Sequence, residues 1–302
     1  MKKSRLPKAI ERPVTASLIW RGHTARTRWD VRVQNLAHTL CRNEIEGQAV
    51  TRQPEQGFCS TEEENLFVFD CGKTSYTSVT VEVGRLTGNV RIELFYDIAF
   101  EGRPATHSAF GSPWEGFCDS FAPSAFAKTW SGLLPRGFRF LTVRVTGEGV
   151  CAFRVHTHTV EYPYEQQRVS FSCNDPVLQK IWETSCVTLK AATTDVIAEP
   201  ARENVLWIFD ACVGGKAAYY SFGDTHMWRH CLELAARGID EDGVPHAVVP
   251  AGDSFMVLFD QVLFWVHSCR EFYTLTGDKD FVKSVLPAIG RLLGLCKRHM
   301  TQ

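Results

Sequence analysis

Residues 199 to 211 read Glu199-Pro200-Ala201-Arg202-Glu203-Asn204-Val205-Leu206-Trp207-Ile208-Phe209-Asp210-Ala211, the densest gathering of candidate catalytic groups in the sequence. Cleaving a glycosidic bond takes a carboxylic acid to protonate the departing oxygen, a second carboxylate to activate water or attack the sugar, and a flat surface for the ring. Glu203, Asp210 and Trp207 supply those residue types within eight positions. If the stretch enters a helix, Glu203 and Asp210 stand seven apart and share a face. Arg202 would anchor hydroxyls or hold a neighbouring carboxylate ionised. Spacing alone also fits a plainer structure, an Arg–Glu ion pair at a helix start above a core aromatic, because clustered charges are structural as well as catalytic.

The elements that must position this stretch change class along the chain. From about residue 13 to 162 apolar side chains alternate with the period of strands, as in Val79, Val81 and Val83 and again in Val90, Ile92, Leu94 and Tyr96. Leu141, Val143 and Val145 lead through Gly147-Glu148-Gly149 into Cys151, Phe153 and Val155, which predicts a hairpin with glycine in its turn. Several short strands with Gly and Pro between them indicate an antiparallel sandwich, and residues 99–130 read as a long loop on it. From Asp175 onward the apolar residues recur every three or four positions. Asp175 caps a helix with Pro176 at its first position, and Leu178, Ile181, Trp182 and Leu189 form its expected buried face. Gly223-Asp224 ends one helix and caps the next, which Gly238 closes. Leu258, Val262, Trp265, Cys269 and Phe272 make a further stripe, and Gly277-Asp278 resets the chain for Val282, Val285, Ile289, Leu292, Leu293 and Cys296. About five helices, joined by short turns into hairpins, fit after residue 175. The expected fold class is multidomain, β plus α: a β-sandwich over 1–165 and helical hairpins over 166–302.

An ordered set of landmarks follows the same course. Phe171-Ser172-Cys173-Asn174-Asp175-Pro176 is followed by Ile181-Trp182-Glu183; then come Pro200, Arg202-Glu203, Trp207 and Asp210-Ala211; then Asp242-Gly243, Pro250, Asp260, Trp265 and Tyr273-Thr274-Leu275-Thr276-Gly277-Asp278. Upstream stand Phe69-Asp70-Cys71-Gly72-Lys73 and Arg136-Gly137-Phe138-Arg139-Phe140. From about residue 66 this set resembles glycoside hydrolase family 78, the α-L-rhamnosidases. The resemblance implies that the helices are the first hairpins of an (α/α)6 toroid, incomplete here. It implies that Glu203 is the general acid, that Arg202, Trp207 and Asp210 line the sugar pocket, and that Asp260 belongs to the same site. His246, in the 239–255 loop, would face the same mouth. The implied reaction is inverting hydrolysis of terminal α-L-rhamnosides, with a base on a later hairpin that is not expected in this chain, so little turnover is expected of it alone.

Three departures bear on the sugar. The family's usual Asp-Cys before the signature Pro is Ala198-Glu199, where Glu199 partly replaces the lost carboxylate; the usual Gly before Trp is Leu206; and the usual Gly before Asp is Phe209, which predicts a bulkier, more apolar pocket wall. Two other readings stay open: a non-catalytic carbohydrate-binding module or pseudoenzyme, and a six-hairpin glycosidase of different sugar specificity.

Composition narrows the partners. With 33 basic and 34 acidic residues interspersed over 302, and a formal net charge of -1, no basic stripe exists to meet a phosphate backbone, and nucleic acid is not an expected partner. The most apolar window, 255–269, is interrupted by Asp260, Gln261 and His267 and falls short of the roughly 20 apolar residues of a membrane span. Eleven cysteines without a CxxC pair read as reduced thiols, and the start lacks an apolar signal core, so the expected setting is cytoplasmic. Acid–base hydrolysis needs no cofactor, and none is expected. His156 and His158 share a strand face with Arg154 but lack a third metal ligand. His226 and His230 stand at i, i+4 without the HExxH pattern. A partial ring would leave an apolar helix face uncovered, predicting self-association.

Overall fold

The computed structural model describes residues 9–24, 45–50, 59–62, 64–100, 102, 118–164, 169–199, 205–249 and 256–300. The chain forms two compact units, one over Ile10–Val160 and one holding Glu161–Glu199 and the described residues from 205 on.

The first unit is antiparallel β. Its strands are β1 (Ile10–Val14), β2 (Ser17–Thr24), β3 (Ile45–Ala49), β4 (Cys59–Ser60), β5 (Leu66–Asp97), β6 (Cys118–Phe121), β7 (Thr129–Ser131) and β8 (Arg136–Glu161), in sheet order β1-β8-β5-β2-β3, with β4 on β8 and β6 and β7 on β5. The expected hairpin at 147–149 is absent. β8 instead runs on through its glycines, paired antiparallel with β5 from Asp97↔Phe140 to Thr77↔Thr159. The glycines serve close backbone approach: a Cβ on Gly149 would lie 2.0 Å from the Thr87 carbonyl oxygen, and one on Gly147, at φ +109°, 2.3 Å from that of Asn89. Beside them the register shifts between Val83 and Leu86. A shift of this kind bends a strand, and the bend lets both ends of the ribbon share one core, in which the Phe67 and Phe153 rings meet edge to face at 5.2 Å. Val79, Val81, Val83, Ile92, Leu94, Leu141 and Val143 are buried in it. The long loop expected over 99–130 holds strand β6 and the start of β7, both hydrogen-bonded to β5.

The second unit is helical: α1 (Pro176–Ala191), α2 (Ile208–Phe222), α3 (His226–Arg237), α4 (Phe259–Thr276) and α5 (Lys279–Met300). The local signals act as expected. Asp175 accepts from the Val177 and Leu178 N–H groups at 2.8 and 3.3 Å, Gly223 and Gly277 end α2 and α4 in the left-handed region, and Asp224 and Asp278 accept from Met227 N–H and Phe281 N–H. The core is aromatic. Trp228 and Trp265 are fully buried, and each indole N–H is satisfied, on Ser268 Oγ and on the Leu232 carbonyl, as buried indoles require. Val262, Cys269, Phe272, Phe281, Val285 and Leu292 complete it, whereas Leu293 faces outward. The expected buried face of α1 is not buried: no residue of that helix is, and Leu178 and Ile181 are 51% and 56% exposed.

Candidate active site

Two short strands fix the centre of the motif. Leu206–Trp207 (β9) pairs antiparallel with Val248–Val249 (β10), Trp207 opposite Val248. The ladder extends by one rung, with Ile208 N–H donating to the Ala247 carbonyl at 2.9 Å. Leu206, Ile208, Ala247 and Val248 are buried; Trp207 and His246 are partly exposed, and Phe209, already in α2, is exposed. Because 206–207 is strand, α2 begins only at Ile208, with Trp207 extended at its N-cap. The helical i, i+7 relation expected between Glu203 and Asp210 therefore does not hold. Arg202 and Glu203 themselves lie outside the described residues.

Asp210 occupies the first turn of α2 and Asp260 the first turn of α4, where the positive end of the helix dipole favours a carboxylate. The two helices run parallel. Phe209 packs on Phe264 at 4.8 Å between ring centres, and Lys216 Nζ meets Glu271 Oε1 at 2.5 Å, so the same residue offset recurs two turns apart. That offset sets Asp210 level with Trp265 and places Asp260 five residues, about 7.5 Å, nearer the helix start. Ala247 ties the two starts together, accepting from Ile208 and donating to the Met256 carbonyl at 2.9 Å.

His246 is carried on a braced loop. Its N–H donates to the Gly238 carbonyl, Arg291 reaches the Asp240 and Ile239 carbonyls, and Arg298 reaches that of Asp242. Gly243, at φ +88°, lies where a Cβ would be 2.4 Å from the Arg291 carbonyl oxygen. Trp207, Asp210, His246 and Asp260 thus gather at one end of the helical unit. Glu199 is partly exposed in a separate segment, just after the turn in which Ala198 N–H donates to Ala192.

Residues 166–302 match the family model of the bacterial alpha-L-rhamnosidase 6 hairpin glycosidase domain. The helical part of the chain is similar to that family's domain. Similar solved structures include the GH78 family rhamnosidase of Bacillus sp. GL1, with 23% identity and TM-score 0.64 over 83% of this chain and 27% of that one. The rhamnosidase from Klebsiella oxytoca with rhamnose bound has 16% identity and TM-score 0.67, over 95% of this chain and 57% of that one. The Streptomyces avermitilis α-L-rhamnosidase complexed with L-rhamnose has 16% identity and TM-score 0.56, over 97% and 25%. At these identities the likeness is one of fold, and the chain spans about a quarter to just over half of each. No curated protein matches. Among the described residues no helix is long and apolar enough to cross a membrane.

One of the bulky departures lies in the core. Leu206 is 1% exposed and belongs to the core, while Phe209, next to Asp210, is exposed. The structure also gathers residues that spacing did not reveal. Glu271 joins Lys216 to His267, whose Nδ1 lies 3.7 Å from it, on the α2–α4 face below Phe209 and Phe264; the contact depends on helix register and leaves no short-range mark. Elsewhere His156 Nε2 pairs with Glu82 at 3.1 Å, burial pushes the His230 imidazole below its ordinary pKa, and among the described residues no three His, Cys, Asp or Glu side chains gather as metal ligands.

Proposed function

We propose that this chain carries the sugar-binding and acid half of an α-L-rhamnosidase site, within a β domain over 1–165 and the first hairpins of the glycosidase domain over 166–302. Glu203 protonates the leaving oxygen of a terminal α-L-rhamnoside. Trp207 carries the sugar ring, and Arg202, Asp210, Glu199, His246 and Asp260 contact its hydroxyls. Inversion by water requires a carboxylate roughly 6.5–9.5 Å from the acid, supplied in the complete enzyme by a later hairpin. The observation that carries this reading is the β9–α2 junction: a partly exposed Trp207 stands at the N-cap of α2 with an exposed Asp210 in its first turn, inside a segment that matches the family model.

The test has two arms. Titration calorimetry of the chain with L-rhamnose should show binding that Trp207→Ala removes. An aryl α-L-rhamnoside assay of the product extended through the downstream reading frame should show turnover that falls by about 10²–10⁴-fold in Glu203→Gln, the usual share of proton transfer, with rhamnose binding kept. Binding without turnover in both forms would mark a carbohydrate-binding module, and turnover of another aryl glycoside a different sugar.

A further inference from the structure

Arg291 of α5 grips the segment that follows α3 from two sides. Its Nε donates to the Asp240 carbonyl at 2.9 Å and its Nη2 to the Ile239 carbonyl at 3.1 Å. These carbonyls stand just past the Gly238 C-cap of α3, where a helix leaves acceptors unpaired and its dipole favours a cation. The backbone of the same arginine receives the far side of the loop: a Cβ on Gly243 would lie 2.4 Å from the Arg291 carbonyl oxygen. Between these contacts the loop closes on itself, with Asp240 N–H donating to the Val244 carbonyl, Gly243 N–H to that of Asp240 and His246 N–H to that of Gly238. Ile239 is buried, and a buried carbonyl stripped of its donor loses the bond without regaining water.

The clasp reaches the candidate site through printed neighbours of the backbone. Gly238, next to Ile239 in the chain, lies against β10: a Cβ there would be 2.7 Å from Cγ2 of Val249. Val249 in turn pairs with Leu206, the residue before Trp207, which is the N-cap of α2. The Ile208 N–H bond to the Ala247 carbonyl ties the same segments again. An isolated pair of short strands has little stability of its own, so what holds its ends sets its position.

We propose that Arg291 is a positioning residue: without touching the sugar, it fixes the 238–249 segment and, through β10 and β9, the geometry of Trp207 and Asp210. The role of those two residues in holding a sugar rests on the rhamnoside reading; the mechanical link from Arg291 to β9 does not.

Amide hydrogen exchange on the full chain measures the link. In Arg291→Met, which keeps an unbranched stem and removes the donors, the Ile208 N–H should exchange about tenfold faster, the weight of one hydrogen bond. The Cys269 and Phe272 N–H groups, in the buried core of α4, should keep the parent rate. Equal acceleration at all three would mark general destabilisation, and an unchanged Ile208 would mark a brace that ends at the loop; either overturns the proposal. Arg291→Lys keeps the cation without the two-pronged reach and should exchange at an intermediate rate. It also serves where the methionine variant fails to fold, and a lysine variant indistinguishable from the parent overturns the clasp. Calorimetry with L-rhamnose measures the consequence. Arg291→Met should raise Kd about tenfold at unchanged stoichiometry, whereas loss of folded protein alone lowers the stoichiometry and leaves Kd. An unchanged Kd overturns the effect on the sugar site alone. If the unmodified chain binds no rhamnose, the rhamnoside reading falls, and the exchange rates still decide whether Arg291 holds β9.

Discussion

At the scale of single residues, the features written within a few positions of one another are those the sequence discloses. Asp175 before Pro176, Gly223 before Asp224 and Gly277 before Asp278 each hold a helix end through contacts two to four residues long, so their chemistry is visible without the fold. The approach of Lys216 to Glu271 depends on register between distant segments and is not. Glycines fall between these cases. Gly215 sits mid-α2, an unfavourable place for glycine on propensity alone, because a Cβ there would lie 2.2 Å from Cδ1 of the buried Trp228. Gly215→Ala is expected to cost about 1–3 kcal/mol by overpacking, despite alanine's better helix propensity, and the shift of the urea midpoint measures it. Gly243→Ala should cost at least as much, since both its positive φ and the Arg291 backbone oppose a side chain. Thiol chemistry separates in the same way. Burial pushes Cys59, Cys212 and Cys231 up to about 12, while Cys173 is exposed; because the thiolate is the reactive form, dithionitrobenzoate should label Cys173 in the native protein and the other three only on unfolding.

At the scale of elements, alternation located the strands of β5 and β8 but misread their connection. Gly147-Glu148-Gly149 carries the chemistry of a turn, yet the same residues permit two backbones to pass at close range, and only the pairing partner, Thr87 to Val90, decides between the two. A reverse case is instructive. The stretches around Asp70 and Arg139 were legible only as two separate landmarks, and strand pairing joins them: Asp70 lies opposite Phe140, and Arg139 donates to both Asp70 carboxylate oxygens at 2.9 Å while Gly72 N–H adds a third bond at 2.7 Å. The Arg139 guanidinium, with help from Gly72, holds the Asp70 carboxyl below its ordinary range. A carboxylate depressed in the folded state adds stability that is complete above its unfolded value, about 3.9, and disappears as pH falls through the lower folded one. Asp70→Asn should therefore destabilise at pH 7 and converge with the parent protein in acid. Arg139 is 40% exposed, and water screens such a pair to about 1 kcal/mol or less. Urea midpoints compared at pH 7 and below pH 3 measure this, and a constant gap between the two proteins would remove Asp70 from the acid transition.

At the scale of the whole molecule, the number and order of helices followed from periodicity, but periodicity reports only that a helix face favours cover, not what provides it. The stripe of α1 is the case in point. Val177, Leu178, Ile181 and Val187 stand 64%, 51%, 56% and 48% exposed, and the helix contributes only part-buried residues such as Cys186 and Leu189 to the core. In this structure the stripe meets solvent. Apolar area leaving water is favourable by roughly 25 cal/mol per Å², and contiguous exposed patches are sites of association. Two copies pairing through α1 would each withdraw that stripe from water. The expected outcome is a weight-average mass in sedimentation velocity that rises with protein concentration. Leu178→Ser with Ile181→Ser should restore the monomer and leave the thermal midpoint nearly unmoved, because side chains already in solvent contribute little to folding. A parent chain that stays monomeric at every concentration, and a double variant no different from it, would show that this face does not drive association.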